Sequence, residues 1–307
     1  MKNNKYKYGM ITVFLLPALI LFIGVLIAPI AMSLFYSLFD MKSISLKGAD
    51  FIGLGNYAEL FTSGSISFWR ALGNSLLLAI LSVFLQLPLS LGLALMLGKG
   101  IKGERGFLSI YFMPVLISTV VIGQLWRKIY NPDYGILNAV LQLMGISDKM
   151  PAGGWLGNEA SALWCVFIPT LWQYVGYHML LMYAGVRSVS PELREAAKLD
   201  GATDGQVDWY VVIPCIKPIL KVSVIFAVTG SLKSFDLIYV LTKGGPYHAT
   251  EVPSTLMISM LFERNRYGMG SAIAVMMIAL CFAFAILISV AFKERENGRK
   301  KHVVDEQ

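Results

Sequence analysis

Long apolar stretches alternate with short polar segments along the whole chain. Six of the stretches, at about 17 to 25 residues or more, are long enough to cross a hydrocarbon core of roughly 30 Å as helices. They span approximately Gly9 to Phe39, Gly73 to Leu97, Phe107 to Trp126, Ser161 to Gly185, Val211 to Ser231 and Gly268 to Phe292. The first exceeds a single crossing, which predicts tilt or an interfacial extension near Pro29 to Phe39. Inside a membrane nearly every backbone polar group must pair within its own segment, and that requirement selects helices over open strands. The expected fold is an all-α integral membrane bundle of six transmembrane helices over residues 9–292, flanked by polar segments at 1–8 and 293–307.

Composition agrees with the pattern. Hydrophobic residues make up 56% of the chain and charged residues only 15%, against about 25% charged in soluble domains. The basic residues orient the bundle. If the chain starts inside, the inner segments hold Lys2, Lys5 and Lys7, then Lys99, Lys102 and Arg105, then Arg187, Arg194 and Lys198, then Lys293, Arg295, Arg299, Lys300 and Lys301. The outer segments are more sparsely basic, so both termini and the segment at 186–210 are expected in the cytosol. The net charge of +7 is then a consequence of topology, and no nucleic-acid partner is expected. The basic start followed by an apolar run also resembles a secretory signal. That run is much longer than the roughly 7 to 15 residues of such a region and no small-residue cleavage site closes it, so it reads as an anchor. Cys165, Cys215 and Cys281 lie in predicted spans without Cys-x-x-Cys spacing; they read as small packing residues, with no disulfide or metal site.

The spans carry no acidic residue at their centres, and their only basic residues are Lys217 and Lys221 near the cytosolic end, besides His178. A charge at the bilayer centre costs about 2.5 to 3.5 kcal/mol on insertion scales, so a proton relay would stand out. The two lysines read as side chains that snorkel to the headgroups. Gly98-Lys99-Gly100 lacks both the earlier glycine and the following hydroxyl of a phosphate-binding loop. Neither a Gly-x-Ser-x-Gly nor a His-Glu-x-x-His pattern occurs. The chain is therefore not expected to be an enzyme or to bind a cofactor, and any ATPase that drives it is another chain.

Residues 195 to 214 form a charged segment between the fourth and fifth spans. Ser190 as N-cap, Pro191 at the first helical position and Glu192 near the positive helix end predict a short helix from Pro191 to Leu199. Leu193, Ala196 and Ala197 share one face of it, and Glu192, Glu195 and Lys198 a more polar side. Gly201 supplies the left-handed residue that ends such a helix. Thr203 and Gln206 supply the elements of a capping box for a second helix leading into Trp209 and the fifth span. Capping alone is satisfied by a well-built surface turn. The order is Glu-Ala-Ala, three residues, Gly, nine residues, aliphatic, any residue, aliphatic, Pro, with Val211 and Ile213 as conservative changes. It resembles the EAA loop of binding-protein-dependent ABC importers. The resemblance implies that this loop inserts into a cleft of a separate ATPase subunit and carries its motion to the spans through Glu195, Ala196, Ala197 and Gly201.

A second set of residues narrows the resemblance. Phe235 through Pro246, then Thr250-Glu251 and Tyr267-Gly268, together with Phe51 through Tyr57 and Asn74-Ser75, are similar to the carbohydrate-uptake permeases, specifically the MalF-like subunit of that family; Lys243 stands where a glycine is usual. The resemblance implies a second, MalG-like permease subunit, an ABC ATPase dimer that holds ATP and Mg, and an extracytoplasmic sugar-binding protein. It further implies a carbohydrate substrate, with an oligosaccharide expected, carried by alternating access across a bacterial cytoplasmic membrane. Gly244-Gly245-Pro246 reads physically as a sharp turn on the outer face, with contact to a docked binding protein as the alternative.

Sugars bind through hydroxyl hydrogen bonds and stacking on aromatic faces. The fourth span offers Thr170, Trp172, Gln173, Tyr174 and Tyr177, and the fifth offers Thr229, Gly230, Ser231 and Ser234. Alignment from Glu195 implies that Tyr177, Gly230, Ser231 and Ser234 occupy cavity-lining positions of the maltose-type subunit. Ordinary helix packing by small and hydroxyl residues is the alternative. An ion-coupled secondary carrier is the runner-up function, since broken helices bind sodium through backbone carbonyls. Neither an internal repeat nor an intramembrane charge pair favours it. A structural membrane scaffold ranks third.

Overall fold

The computed structural model describes residues 13–43, 48–146 and 151–305, with Ser65 and the stretch 294–305 as backbone only. The predicted segment 1–8 and the side chains of Lys2, Lys5, Lys7, Arg295, Arg299, Lys300 and Lys301 lie outside the described residues. The longer helices are α1 (Val13–Tyr36), α2 (Phe68–Leu97), α3 (Glu104–Leu116), α4 (Thr119–Ile129), α5 (Glu159–Ser188), α6 (Pro191–Leu199), α7 (Lys217–Leu232) and α8 (Tyr267–Asp305). The chain divides into two units, Met1–Ile66 with Leu256–Ile278 and Ser67–Thr255 with Ala279–Gln307.

Prolines shape several helices in one way. Widened π turns at Phe22–Ile27, Ser82–Gln86 and Asp208–Val212 immediately precede Pro29, Pro88 and Pro214. A proline lacks the N–H for an i−4 bond and its ring presses on that carbonyl, so the preceding turn opens to relieve the clash.

The third predicted span is corrected by the structure. Phe107 to Trp126 is not one straight helix; α3 and α4 meet at a bend of 95°. Pro114 weakens the last turn of α3, and Ile117 and Ser118 then take extended conformations with ψ of 137° and 131°. The β-branched run Ile117, Thr119, Val120 and Val121 adds no helix propensity with which to bridge the gap. Among the described residues four helices are long and apolar enough to cross a membrane, or five if the bent pair is one span. The predicted fourth span lies within α5, whose 30 residues reach about 45 Å. It is less apolar because Thr170, Gln173, Tyr174, Tyr177 and His178 interrupt it.

In the first unit α1 buries none of its most apolar window. An apolar stretch left uncovered in this way among the described residues needs lipid or another chain as its solvent. Beyond it lies a structure that the all-α reading omitted, a two-residue antiparallel pair of β1 (Phe39–Asp40) and β2 (Asp50–Phe51). Asn56 Nδ2 donates to Ser37 O at 2.8 Å and Phe39 O at 2.9 Å. Tyr267 N donates to Met41 O at 2.9 Å. A Cβ on Gly268 would lie 1.9 Å from Phe39 O, so only glycine fits there. Arg266 grips Glu59 through both terminal nitrogens, at 2.7 and 2.5 Å, and this bond holds the Glu59 carboxyl below its ordinary value.

In the second unit α5 is the central element, packing on α2 and α3. At Gly176 a Cβ would stand 1.8 Å from Tyr111 O, so the absent side chain is what lets α3 approach. One apolar cluster joins Leu87, Leu97, Met179, Met182, Val186, Val212 and Ile216. A second joins Leu78, Ile122, Val166, Phe167, Leu237, Ile238 and Val252.

Candidate functional site

The loop at 186–210 is built almost wholly from local bonds. Pro191 opens α6, and the helix runs to Leu199 as predicted. Its cap differs from expectation. Ser190 holds the N-cap position without capping the backbone; its hydroxyl donates instead to the Glu192 carboxylate, which is held below its ordinary pKa by that bond. At the other end Gly201 has φ +89°. Gly201 N donates to Lys198 O at 3.0 Å and Ala202 N to Ala197 O at 2.9 Å, the paired bonds of a glycine-closed helix end. No atom lies within 4 Å of a Cβ placed on Gly201, so the backbone angle, not space, demands glycine. Thr203 and Gln206 then form the predicted capping box. Lys198 pairs with Asp204 at 2.8 Å and lowers its carboxyl pKa. Lys99 pairs with Asp208 at 2.9 Å.

The predicted apolar face of α6 is split. Ala197 packs inward on the cluster around Val186 and Val207, and Arg194 turns the same way to donate to Val186 O. Leu193, Glu195 and Ala196 face outward, and Leu199 is 89% exposed. The side chains left free for a partner are thus Leu193, Glu195, Ala196 and Leu199.

A cavity of about 370 Å³ opens among α2, the bend before α4, α5, α7 and residues 233–237. Tyr177, Gly230, Ser231 and Ser234 all line it. Tyr177 is half-buried, its ring edge-on to His178 at 5.2 Å and tilted against Phe226 at 6.4 Å. Gly230 would have no neighbour within 4 Å of an added Cβ, so it leaves the wall open. Ser231 Oγ donates to Ala227 O at 2.9 Å and lies 3.4 Å from Ser82 Oγ. Ser234 lends its carbonyl to the Ser254 hydroxyl.

Of the other hydroxyl, amide and aromatic candidates, Thr170 and Tyr174 also line the cavity, whereas Trp172, Gln173 and Thr229 do not. Trp172 packs edge-on against Trp126, Gln173 Nε2 donates to Thr119 Oγ1 at 3.2 Å, and Thr229 Oγ1 bonds Ile225 O at 2.7 Å. Sequence reasoning missed Ser82, Gln86, Thr119, Lys233 and Asp236 on the wall. Ser82 and Gln86 were findable as polar residues inside an otherwise apolar run. Thr119 reaches the wall only because the chain bends beside it. Lys233 and Asp236 bring opposite charges, so the carboxylates and ammonium groups of the lining cancel. Aromatic faces, hydroxyls and amides without net charge suit a neutral, hydroxyl-rich solute.

Asn74 Nδ2 donates to Ala249 O at 3.0 Å and Glu251 O at 2.8 Å. The segment it holds follows the predicted turn, where Gly244 has φ +87°. Thr250 Oγ1 donates to Gly245 O at 2.7 Å, and His248 pairs with Glu251.

Residues 6–294 match the model of the family described as binding-protein-dependent transport system inner membrane component. The chain belongs to that family. As a member it is a transport subunit without an enzymatic activity of its own, the ATPase being a separate chain, and the ion-coupled carrier has no support. The permease is 37% identical over 282 residues to the probable ABC transporter permease protein YurN of Bacillus subtilis, covering 91% of this chain and 94% of that one. It is 31% identical over 288 residues to the trehalose/maltose transport system permease protein MalF of Thermococcus litoralis, covering 94% of each. Its fold is shared with a solved bacterial ABC transporter involved in the import of the acidic polysaccharide alginate. The TM-score is 0.81 at 23% identity, over 95% of this chain and 98% of that one.

Proposed function

We propose that this permease is one of two unlike membrane subunits of a bacterial importer for neutral carbohydrate, an oligosaccharide, with Tyr177, Gly230, Ser231 and Ser234 on the wall of the sugar cavity. The observation that carries the reading is the convergence of those four residues, separated by up to 57 positions in the chain, on one cavity rich in hydroxyls and aromatic faces and without net charge. A relative named for trehalose/maltose transport supports the same substrate class. The alginate transporter shares the fold, but a lining whose charges cancel favours a neutral sugar over an acidic one.

In this reading an ATPase pair holding ATP and Mg receives the loop at Glu195 and Ala196, with Ala197 and Gly201 fixing its shape. ATP closes the pair, the loop follows, and the cavity opens outward to take sugar from an extracytoplasmic binding protein. Both termini and the 186–210 loop face the cytosol. The test is ATP-dependent uptake by the complete importer in proteoliposomes, with a panel of trehalose, maltose, sucrose and cellobiose beside an alginate oligomer. Accumulation of a neutral disaccharide is expected; accumulation of the acidic oligomer alone, or of nothing in the panel, would refute the substrate class.

A further inference from the structure

Two side chains on the cavity wall are buried and polar yet have no hydrogen-bond partner among the described residues. Gln86, in the widened turn of α2, is 2% exposed and His178, on α5, is 4% exposed, and both line the cavity. Among the described residues neither side chain makes a hydrogen bond to the protein; His178 Nδ1 is enclosed, so the ring nitrogen that a solute in the cavity could reach is Nε2. The buried hydroxyls beside them are engaged: Ser231 bonds Ala227 O, and Ser82 stands against Ser231. The helices carrying Gln86 and His178 are held in contact by Ser90 Oγ, which donates to Val175 O at 2.9 Å. Ser90 lies one turn from Gln86 and Val175 one turn from His178.

Buried polar side chains in folded proteins are nearly always hydrogen-bonded to protein or ordered water, so two without a protein partner on one cavity wall are placed to bond whatever fills it. An amide brings two donors and an acceptor, and a neutral imidazole one of each. A sugar hydroxyl is both donor and acceptor and complements either group. We infer that Gln86 and His178 are kept free for the substrate, that they bond its hydroxyls, and that they decide which sugar is carried. A solute without a hydroxyl at those places would bury both groups unpaired, and this is how a hydrogen-bonding site rejects a near-isostere. The inference rests on the reading of the cavity as the sugar site and goes beyond it, since neither residue follows from the resemblance.

The experiment uses the complete importer in proteoliposomes, wild type and with Gln86→Leu, His178→Leu or His178→Gln. The probe is whichever disaccharide of the panel the wild type accumulates, alongside its mono-deoxy analogues. Each leucine variant is expected to lower uptake about 5- to 100-fold and to lose the wild-type preference for the sugar over one deoxy analogue. His178→Gln, which keeps a donor and an acceptor, should recover part of both. The thermal midpoint of the sugar-free complex should stay level or rise in the leucine variants, because an unpaired polar group has been removed from an enclosed site. Wild-type uptake and discrimination in both leucine variants would overturn the inference and leave the carbohydrate reading intact. Lost uptake together with a lowered midpoint would also overturn it, since the two residues would then be structural. Failure of the wild type to accumulate any neutral sugar would bring down the carbohydrate reading itself.

Discussion

The 186–210 loop and the wall of the cavity are both polar regions of a mostly apolar unit, and they treat their hydrogen-bonding groups in opposite ways. In the loop nearly every group is paired within a few residues: Ser190 with Glu192, Lys198 with Asp204, Thr203 with Gln206. On the cavity wall Ser82 and Ser231 come together from distant parts of the chain, and among the described residues Gln86 and His178 have no side-chain hydrogen bond. Local closure lets the loop, the proposed handle for an ATPase, take its shape from its own residues. The cavity wall instead leaves groups for whatever fills it, since a buried unpaired group costs about 1 to 3 kcal/mol.

The largest effect expected from this contrast is one of sidedness. In a background without Cys165, Cys215 and Cys281, Glu195→Cys should react only with reagent on the cytosolic side. Tyr247→Cys, at a position 79% exposed beside the Gly245-Pro246 turn, should react only from outside. Labelling of both positions from the same face of intact cells would remove the topology on which the handle and the cavity are assigned.

Next in size is the loss of the handle's shape. Gly201→Val forces a β-branched residue to φ +89°, at a cost of about 1 to 2 kcal/mol or more, and the helix end should re-form differently. Sugar-dependent ATP turnover by the complete importer should fall roughly tenfold or further, while the variant remains inserted in the membrane. Normal turnover with normal ATPase assembly would reduce Gly201 to a tolerated surface turn.

The cavity side of the contrast is tested by Tyr177→Ala. A sugar that stacks on the ring and bonds its hydroxyl once should lose about 5- to 150-fold in occupancy, with assembly and basal ATPase activity kept. Tyr177→Phe should lose less because the ring remains. Uptake at the wild-type level, or failure through degradation alone, would make Tyr177 a packing residue.

The smallest effect concerns the ion pair of the handle. Lys198 lowers the Asp204 carboxyl pKa below its ordinary 3.8, so the contribution of the pair is full above that value and fades as pH falls through the lowered one. Both side chains are more than half exposed, and pairs of this kind contribute little. Hydrogen exchange of residues 203–207 should therefore differ only modestly between wild type and Asp204→Asn at neutral pH, and the difference should vanish in acid. A difference that grows in acid would contradict the sign.

The handle was legible in the sequence because its determinants lie within a few residues of one another. Pro191, Gly201, Thr203 and Gln206 act through backbone geometry over one or two turns, and the helix bounds and capping box follow from them. What the sequence did not reveal is which side of α6 turns inward, because that depends on Val186 and Val207 presenting an apolar surface to Ala197. Ser190 was misjudged for a related reason: the nearby Glu192 carboxylate is a stronger acceptor for its hydroxyl than any role at the helix end. On the cavity wall Tyr177, Gly230, Ser231 and Ser234 were reached through resemblance, while Gln86 and Thr119 belong to segments whose turn and bend no periodicity announces.

Hydropathy alone determined that this is a helical membrane protein, because the bilayer leaves a long apolar segment no other way to pair its backbone. Spacing alone determined the loop. Only the tertiary structure decided what the remaining fragments of the resemblance are for. Phe51 to Tyr57 meets Tyr267-Gly268 through Asn56 at Phe39 O, with Gly268 leaving room for that carbonyl. Asn74 meets Thr250-Glu251 by bonding the carbonyls on either side of Thr250. The bonds of Asn74 join positions more than 170 residues apart. A contact of that range leaves no periodic trace in the chain, since each partner is locally an ordinary polar or small residue whose meaning depends on what the fold brings to it.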